Sequence, residues 1–243
     1  MVTPPDLAVA PDPRDVAQLA DARAHVLERI AEACARVGRD PAPVTLVAVS
    51  KTVPAARLRA AIAAGLTILG ENRVQEAEAK TGEVPGATWH LVGPLQSNKA
   101  RRALAAFHQI ESVDSDELAG RLDRLAEEVR PDERVPVLLE VNVDGDPAKA
   151  GFDPTGLAAA AGAIAGLPRL DVRGLMTVGR LVERPEDARS TFVALREVSE
   201  RLRASWPGLG EDLSMGMSDD FEIAIEEGAT IVRIGRALFG HRH

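Results

Sequence analysis

Lys51 follows directly after a short, valine-rich apolar run, Thr45-Leu46-Val47-Ala48-Val49-Ser50. Such a run predicts a β-strand, and a lysine at its end would lie at the rim of a sheet or barrel. An amine that is partly removed from water loses its proton more readily, which is what a Schiff-base lysine needs. Considered by itself, Lys51 is better explained as a solvated lysine at a strand end, so other segments must decide.

Two segments near the end of the chain have the chemistry to bind a phosphate. The first, Ser214-Met215-Gly216-Met217-Ser218, places two hydroxyls and a glycine just before a predicted helix start. Asp219 and Glu222 have capping-box spacing, so a plain helix cap with an incidental glycine is the simpler alternative. Because Asp219 and Asp220 repel an anion, we expect a phosphate to contact Ser214–Ser218.

The second phosphate-binding segment begins at Gly235, which follows a short apolar strand pattern. Its backbone N–H could donate to the same phosphate, and Arg236 could add a charge-assisted contact. Arg233 lies within that strand, where a guanidinium is costly unless a polar group meets it. Two explanations stay open for Arg233: a structural ion pair with Glu71 or Glu140, or a ligand atom at the barrel mouth.

The elements that must position these residues alternate regularly along the chain. Eight strands are predicted: Thr45–Ser50, Thr67–Gly70, Thr88–Val92, Gln109–Val113, Val137–Val143, Leu170–Met176, Asp212–Met215 and Ile231–Ile234. Helices are predicted before and between them: Arg14–Val37, Ala55–Ala64, Arg73–Lys80, Lys99–Phe107, Asp116–Val129, Pro154–Ala165, Glu186–Ala204 and Asp219–Glu227.

This alternation predicts a parallel sheet, and eight units predict a (β/α)8 TIM barrel with an extra N-terminal helix. A doubly wound open sheet is the alternative, but it would normally have a glycine-rich loop after its first strand. We expect one barrel domain over residues 14–243, preceded by a flexible Pro-rich tail over residues 1–13.

Composition narrows the classes of function. The 243 residues are 45% hydrophobic with a net charge of −8, which argues against general binding to nucleic acid or anionic membranes. A single cysteine excludes an internal disulfide and a Cys-rich metal site, and no metal site is predicted. No apolar span of about 20 residues or secretory signal is evident, so a cytoplasmic location is expected.

Two further polar residues have simple structural explanations. His90 lies in a predicted strand and is expected to be a core histidine with a backbone partner. Glu71 is expected to be a carboxylate on the barrel rim without a catalytic task.

Six segments, in order, resemble the pyridoxal phosphate homeostasis protein family (the YggS/PROSC family). They are Leu46–Thr52, Gly70–Glu76, Trp89–Lys99, Gly174–Thr177, Leu213–Ser218 and Val232–Gly235, and they span most of the chain. The resemblance implies a barrel similar to the N-terminal domain of alanine racemase that holds pyridoxal 5'-phosphate (PLP).

The resemblance also implies a set of site residues. Lys51 would form the internal aldimine, with Asn72 beside the cofactor ring and Arg233 facing the pyridine nitrogen. Ser214, Ser218 and Gly235 would hold the phosphate, and we include Gly216 because it allows close backbone approach. One departure is Arg236, since the family usually has a small hydroxyl residue at that position.

The resemblance and the composition leave two main candidate functions. The first is a non-catalytic, monomeric PLP carrier that acts in PLP homeostasis and delivers PLP to apo PLP-dependent enzymes. The alternative is a PLP-dependent amino-acid racemase or decarboxylase on the same barrel, and an aldolase-like barrel is a third. The chain contains no tyrosine, whereas the racemases use one, supplied by a C-terminal β domain, as a second acid/base. We therefore favour the carrier and expect no appreciable turnover.

Overall fold

A computed structural model describes residues 10–180 and 182–240 of the chain. Eight parallel strands close into a barrel in sequence order, with β8 pairing back onto β1. The strands are β1 Thr45–Val49, β2 Ile68–Glu71, β3 Thr88–Leu91, β4 Gln109–Val113, β5 Val135–Glu140, β6 Leu170–Met176, β7 Asp212–Ser214 and β8 Ile231–Ile234. The predicted TIM barrel is therefore confirmed.

Helices precede, separate and follow the strands. They are α1 Pro13–Arg36, α2 Ala55–Ala63, α3 Val74–Thr81, α4 Ala100–Ala106, α5 Asp116–Val129, α6 Pro154–Ala165, α7 Arg189–Ser205, α8 Phe221–Glu226 and α9 Arg236–Phe239. The N-terminal helix is confirmed, and it packs against α2, α8 and α9. Of the predicted tail, residues 1–9 lie outside the described part and Pro13 already belongs to α1.

Several helix starts follow directly from local sequence. Asp12 accepts a hydrogen bond from the Arg14 backbone N–H (2.8 Å) and precedes Pro13, a residue suited to the first helical position. Asp153 does the same for α6, accepting from the N–H groups of Thr155 and Gly156. These caps explain why the predicted and observed starts of both helices agree to within one residue.

The apolar core has two parts. A small cluster fills the barrel interior, including Val47, Leu138, Met176 and Ile231. A larger cluster lies between the strands and the helices. Because both faces of each strand are buried, a polar side chain in a strand needs a specific partner.

The predicted capping box at Asp219 and Glu222 is wrong. Helix α8 begins at Phe221, two residues after Asp219. The Asp220 carboxylate instead accepts a hydrogen bond from the Met217 backbone N–H (2.6 Å), which closes a turn before the helix. The short helix α9 was not predicted.

Two structural features are absent from residues 10–180 and 182–240. None of the helices in those ranges is long and apolar enough to cross a membrane. Residues 10–180 and 182–240 contain no group of three or more His, Cys, Asp or Glu side chains arranged to hold a metal ion.

Candidate functional site

A cavity of about 660 Å³ opens at the end of the barrel where the strands terminate. It is lined by residues within or just after β1, β2, β7 and β8, among them Lys51, Asn72, Ser218, Arg233, Gly235 and Arg236. This is the end of a (β/α)8 barrel at which active and binding sites are built, because the βα loops converge there.

Five of the seven predicted site residues line this one cavity. They are Lys51, Asn72, Ser218, Arg233 and Gly235. Ser214 and Gly216 are not part of the lining and are buried behind it. The fold therefore brings together residues that are far apart in the chain, from position 51 to position 235.

The wall between the polar groups is apolar. Val49, Val53, Val92 and Met217 contribute to it. A concave site with apolar walls and a few converging polar groups suits a small planar ligand that also carries a charged group.

Arg233 is buried inside the barrel and donates two hydrogen bonds to neutral oxygens. Its Nη1 donates to Ser214 Oγ (2.6 Å) and its Nη2 donates to the Thr177 carbonyl (2.8 Å). Burial lowers the pKa of this guanidinium, while the charges of Glu111 and Glu140 oppose that change. Arg233 forms an ion pair with neither Glu71 nor Glu140, and Glu71 pairs with Lys80 instead.

The second polar group in the barrel is Glu111, which sequence reasoning missed. It is fully buried, its Oε1 lies 2.7 Å from His90 Nδ1, and its Oε2 accepts a hydrogen bond from Ser214 Oγ (2.6 Å). Burial opposes ionisation, but the hydrogen bond and charge of His90, together with the charge of Arg233, hold the pKa of Glu111 below its ordinary value.

A chain of hydrogen bonds thus crosses the barrel from His90 through Glu111 and Ser214 to Arg233. The expectation of a backbone partner for His90 is wrong, because its Nδ1 meets a carboxylate. Glu111 could have been found by the rule that identified Arg233, since both are charged residues within an apolar strand pattern.

Glu140, at the end of β5, is a second buried acid near Arg233. Burial raises the pKa of Glu140 to about 7, repulsion from Asp114 adds to the increase, and the charge of Arg233 opposes it. This carboxyl group is therefore expected to change its charge near neutral pH.

Glu71 does not lie on the rim, contrary to expectation. It is fully buried, and its Oε1 meets Lys80 Nζ (2.7 Å) and Ser50 Oγ (2.6 Å). Burial raises the pKa of Glu71, and the hydrogen bonds from Lys80 and Ser50 oppose that increase. The rim prediction failed because Glu71 alternates with Gly70 and so points away from the barrel interior, towards α3.

The loops after β7 and β8 also contribute to the cavity lining. Ser218 Oγ accepts a long hydrogen bond from the Ala237 backbone N–H (3.4 Å). Arg236 forms an exposed salt bridge with Asp219. Gly216 has a φ of +90°, and an added Cβ there would lie 2.6 Å from the Ala224 Cβ. Gly216 therefore shapes the turn that presents Ser218.

Comparison with known proteins supports the resemblance. The family model described as "Alanine racemase, N-terminal domain" matches residues 20–243. A "Pyridoxal phosphate homeostasis protein" of Pseudomonas aeruginosa is 47% identical over 229 residues, which cover 92% of this chain and 96% of the relative. The chain belongs to the pyridoxal phosphate homeostasis protein family.

Solved structures agree with this membership of the pyridoxal phosphate homeostasis protein family. A structure described as "an unknown protein from Bifidobacterium adolescentis" superimposes with a TM-score of 0.85 at 38% identity, covering 94% of this chain and 97% of that one. PipY of Synechococcus elongatus, in a structure with PLP bound, superimposes with a TM-score of 0.76 at 43% identity, covering 87% and 100%.

Proposed function

We propose that this protein is a non-catalytic PLP-binding protein that acts in intracellular PLP homeostasis. The observation that carries the proposal is the convergence of Lys51, Arg233, Ser218 and Gly235 on one cavity. Relatives of the same family are named for PLP homeostasis, and PipY has been solved with PLP.

The residues of the cavity fit the chemistry of PLP group by group. The amine of Lys51 would hold the aldehyde carbon as a Schiff base, and the guanidinium of Arg233 would face the pyridine nitrogen. Asn72 would lie beside the ring. When bound, PLP supplies an electron sink for reactions of amino acids.

Ser218 and Gly235 would hold the phosphate, with Arg236 within reach of the same end of the cavity. We leave Ser214 out of the direct contacts, because its hydroxyl already donates to Glu111 and accepts from Arg233. Gly216 would act through the turn instead of through a contact of its own. Both residues then support the site from behind.

Two features favour a carrier over a racemase or decarboxylase. Arginine remains protonated and therefore leaves the pyridine nitrogen without a proton, which weakens the electron sink. The chain also has no tyrosine to serve as a second proton carrier. General acid–base assistance is typically worth about 10²–10⁴-fold, so its loss should slow racemisation severely.

The covalent part of the proposal is tested by trapping. Purified protein is mixed with PLP, reduced with borohydride and mapped by peptide mass spectrometry. The chain has four lysines, at positions 51, 80, 99 and 149, so the assignment is unambiguous. We expect the pyridoxyl label on Lys51, whereas label on another lysine with Lys51 unmodified would contradict the proposal.

The carrier role is tested by two assays on the PLP-loaded protein. We expect transfer of PLP to an apo PLP-dependent enzyme, and no rapid solvent deuterium exchange at the α-carbon of a panel of amino acids. Exchange with multiple turnovers on one amino acid would support the racemase alternative. A cytoplasmic location and a monomeric state complete the proposal, and size-exclusion chromatography with light scattering checks the latter.

A further inference from the structure

We propose that Lys80 is a positioning residue that fixes the backbone on both sides of Lys51 and so aims the Lys51 amine into the cavity. The inference rests on the proposed function, because it assigns Lys51 a covalent task. Lys80 lies in α3, 29 positions after Lys51, and its ammonium group is largely buried.

The residue after Lys51 has an unusual backbone conformation. Thr52 has a φ of +66° and is the one non-glycine residue with a positive φ among residues 10–180 and 182–240. A β-branched side chain disfavours this region, so the conformation persists only where neighbours hold it. The Thr52 backbone N–H donates to Glu76 Oε1, in the first turn of α3.

The residue before Lys51 is held by the same helix. The Ser50 carbonyl accepts a hydrogen bond from Lys80 Nζ (3.0 Å), and Ser50 Oγ donates to Glu71 Oε1 (2.6 Å). Ser50 is fully buried. Both neighbours of Lys51 are therefore tied to one cluster, which we call the Lys80 cluster: Ser50, Thr52, Glu71, Glu76 and Lys80.

Lys80 is the centre of this cluster because its ammonium group lies between the two acids, Glu71 and Glu76. Its ammonium group also donates to Glu71 Oε1 (2.7 Å) and Glu76 Oε1 (2.8 Å). With the Ser50 carbonyl, these acceptors use all three N–H groups of a lysine. Without the positive charge, two carboxylates would face each other, and the one that holds Thr52 would lose its support.

The contacts of the cluster suit a positioning role better than simple helix docking. Helix α3 already packs through the buried side chains of Val74 and Ala77. The polar contacts instead end on the two residues that flank Lys51, whose amine belongs to the cavity lining. Covalent capture depends steeply on the direction of attack, so small displacements of this backbone should slow it.

The experiment separates capture from anchoring. Lys80→Met removes the charge at similar length, Lys80→Arg keeps the charge, and Lys99→Met is a matched control outside the cluster. The rate of capture is followed by absorbance after mixing with PLP and by borohydride trapping at Lys51. Pyridoxine 5'-phosphate, which has the ring and phosphate but no aldehyde, measures anchoring without a covalent bond.

For Lys80→Met we expect capture to slow by about ten- to a hundredfold, with pyridoxine 5'-phosphate affinity changed less than about twofold. Lys80→Arg should restore part of the rate, and Lys99→Met should match the wild type. An unchanged capture rate in Lys80→Met would overturn the inference, and so would equal losses of capture and pyridoxine 5'-phosphate binding in a folded variant.

If Lys80→Met does not fold, the Glu76→Ala variant tests the inference instead. This change removes the hydrogen bond to the Thr52 backbone and leaves the contact between Lys80 and Glu71. Slower capture with retained pyridoxine 5'-phosphate binding supports the inference, and unchanged capture contradicts it. Wild-type protein that captures no PLP at all would contradict the proposed function instead, which keeps the two failures distinguishable.

Discussion

Two parts of the cavity, which we call the Lys51 end and, for the proposed phosphate site, the phosphate end, hold their polar residues in different ways. At the Lys51 end, Lys80 and Glu71 are buried and share short hydrogen bonds with the backbone and with each other. At the phosphate end, Arg236 and Asp219 are exposed, with 46% and 72% of their side-chain surface accessible. The Lys51 end is held by buried charges, whereas the charges at the phosphate end are exposed to solvent.

This difference matters for a protein proposed to bind PLP and release it again. Exposed ion pairs are worth little and are screened by salt, whereas breaking a buried pair leaves an uncompensated charge. The Lys51 end is therefore expected to keep its geometry whether or not PLP is present. The phosphate end is expected to rearrange at small cost, which suits an entry and exit route.

The largest effect is expected for Lys51→Ala. Removing the amine should abolish borohydride-stable attachment of PLP, while the phosphate end should still hold PLP weakly and reversibly. Absorbance and trapping measure the covalent part, and equilibrium dialysis measures what remains. Covalent attachment in this variant would contradict the assignment of Lys51, and the Lys99→Ala variant serves as the control.

The next effect concerns the buried acid at the end of β5. Because burial raises the pKa of Glu140 to about 7 in the folded state, folding favours its protonated form. The protonated Glu140 carboxyl group therefore contributes stability that is fully present below the pKa of this group in the unfolded chain. This contribution is lost as the pH rises through its folded-state pKa of about 7. The rise in the pKa of Glu140 corresponds to about 3 kcal/mol of unfolding free energy.

Glu140→Gln should therefore stabilise the protein relative to the wild type at pH 8 and much less at pH 5. Urea unfolding measures the free energy of unfolding of both proteins across this pH range. Taking the difference between the two proteins removes the contributions of other acids. Asp153→Asn offers a comparison with a carboxylate that caps a helix at the surface. A stability difference that does not change with pH would show that folding does not raise the pKa of Glu140.

A substitution at the phosphate end should have a more moderate effect on PLP affinity. Ser218→Ala removes one proposed hydrogen bond to a charged phosphate, which typically contributes about 1.5–3 kcal/mol, or roughly ten- to a hundredfold in affinity. PLP dissociation constants of Ser218→Ala and Ser97→Ala, a matched serine change outside the cavity, check this. An unchanged constant for Ser218→Ala would place the phosphate elsewhere.

Much of this architecture could be predicted from the sequence because its signals are local. The bounds of β4, β6, β8, α5 and α6 agree with the predicted ranges, since apolar runs and helix caps mark their ends. The convergence of Lys51 with Gly235 also follows from barrel closure, which brings the first and last strands together.

The side-chain network could not be predicted in the same way. Glu71 and Lys80 meet because α3 folds back over β2, and the sequence alone does not show on which side of the strand Glu71 lies. Ser214 looked like a phosphate ligand by its type and position, yet its hydroxyl faces Glu111 across the barrel. Motif matching identifies residue types, whereas orientation depends on packing partners that are distant in sequence.

The smallest effect is expected at the exposed pair of Arg236 and Asp219. Asp219→Asn removes the carboxylate that holds Arg236, so the guanidinium becomes available to the proposed phosphate. Exposed ion pairs contribute about 0.2–1 kcal/mol, so PLP affinity should rise by only a few-fold. Arg236→Ser, which introduces the small hydroxyl usual in the family, should lower affinity or leave it nearly unchanged.

Salt makes this prediction specific. The gain in Asp219→Asn should be largest at low ionic strength and should shrink towards 1 M salt, where the Debye length falls to about 3 Å. PLP dissociation constants of the wild type, Asp219→Asn and Arg236→Ser at both salt concentrations provide the measurement. If Asp219→Asn binds PLP more weakly than the wild type, the salt bridge supports the site instead of competing with the phosphate, and the phosphate end is less adjustable than the comparison of the two ends implies.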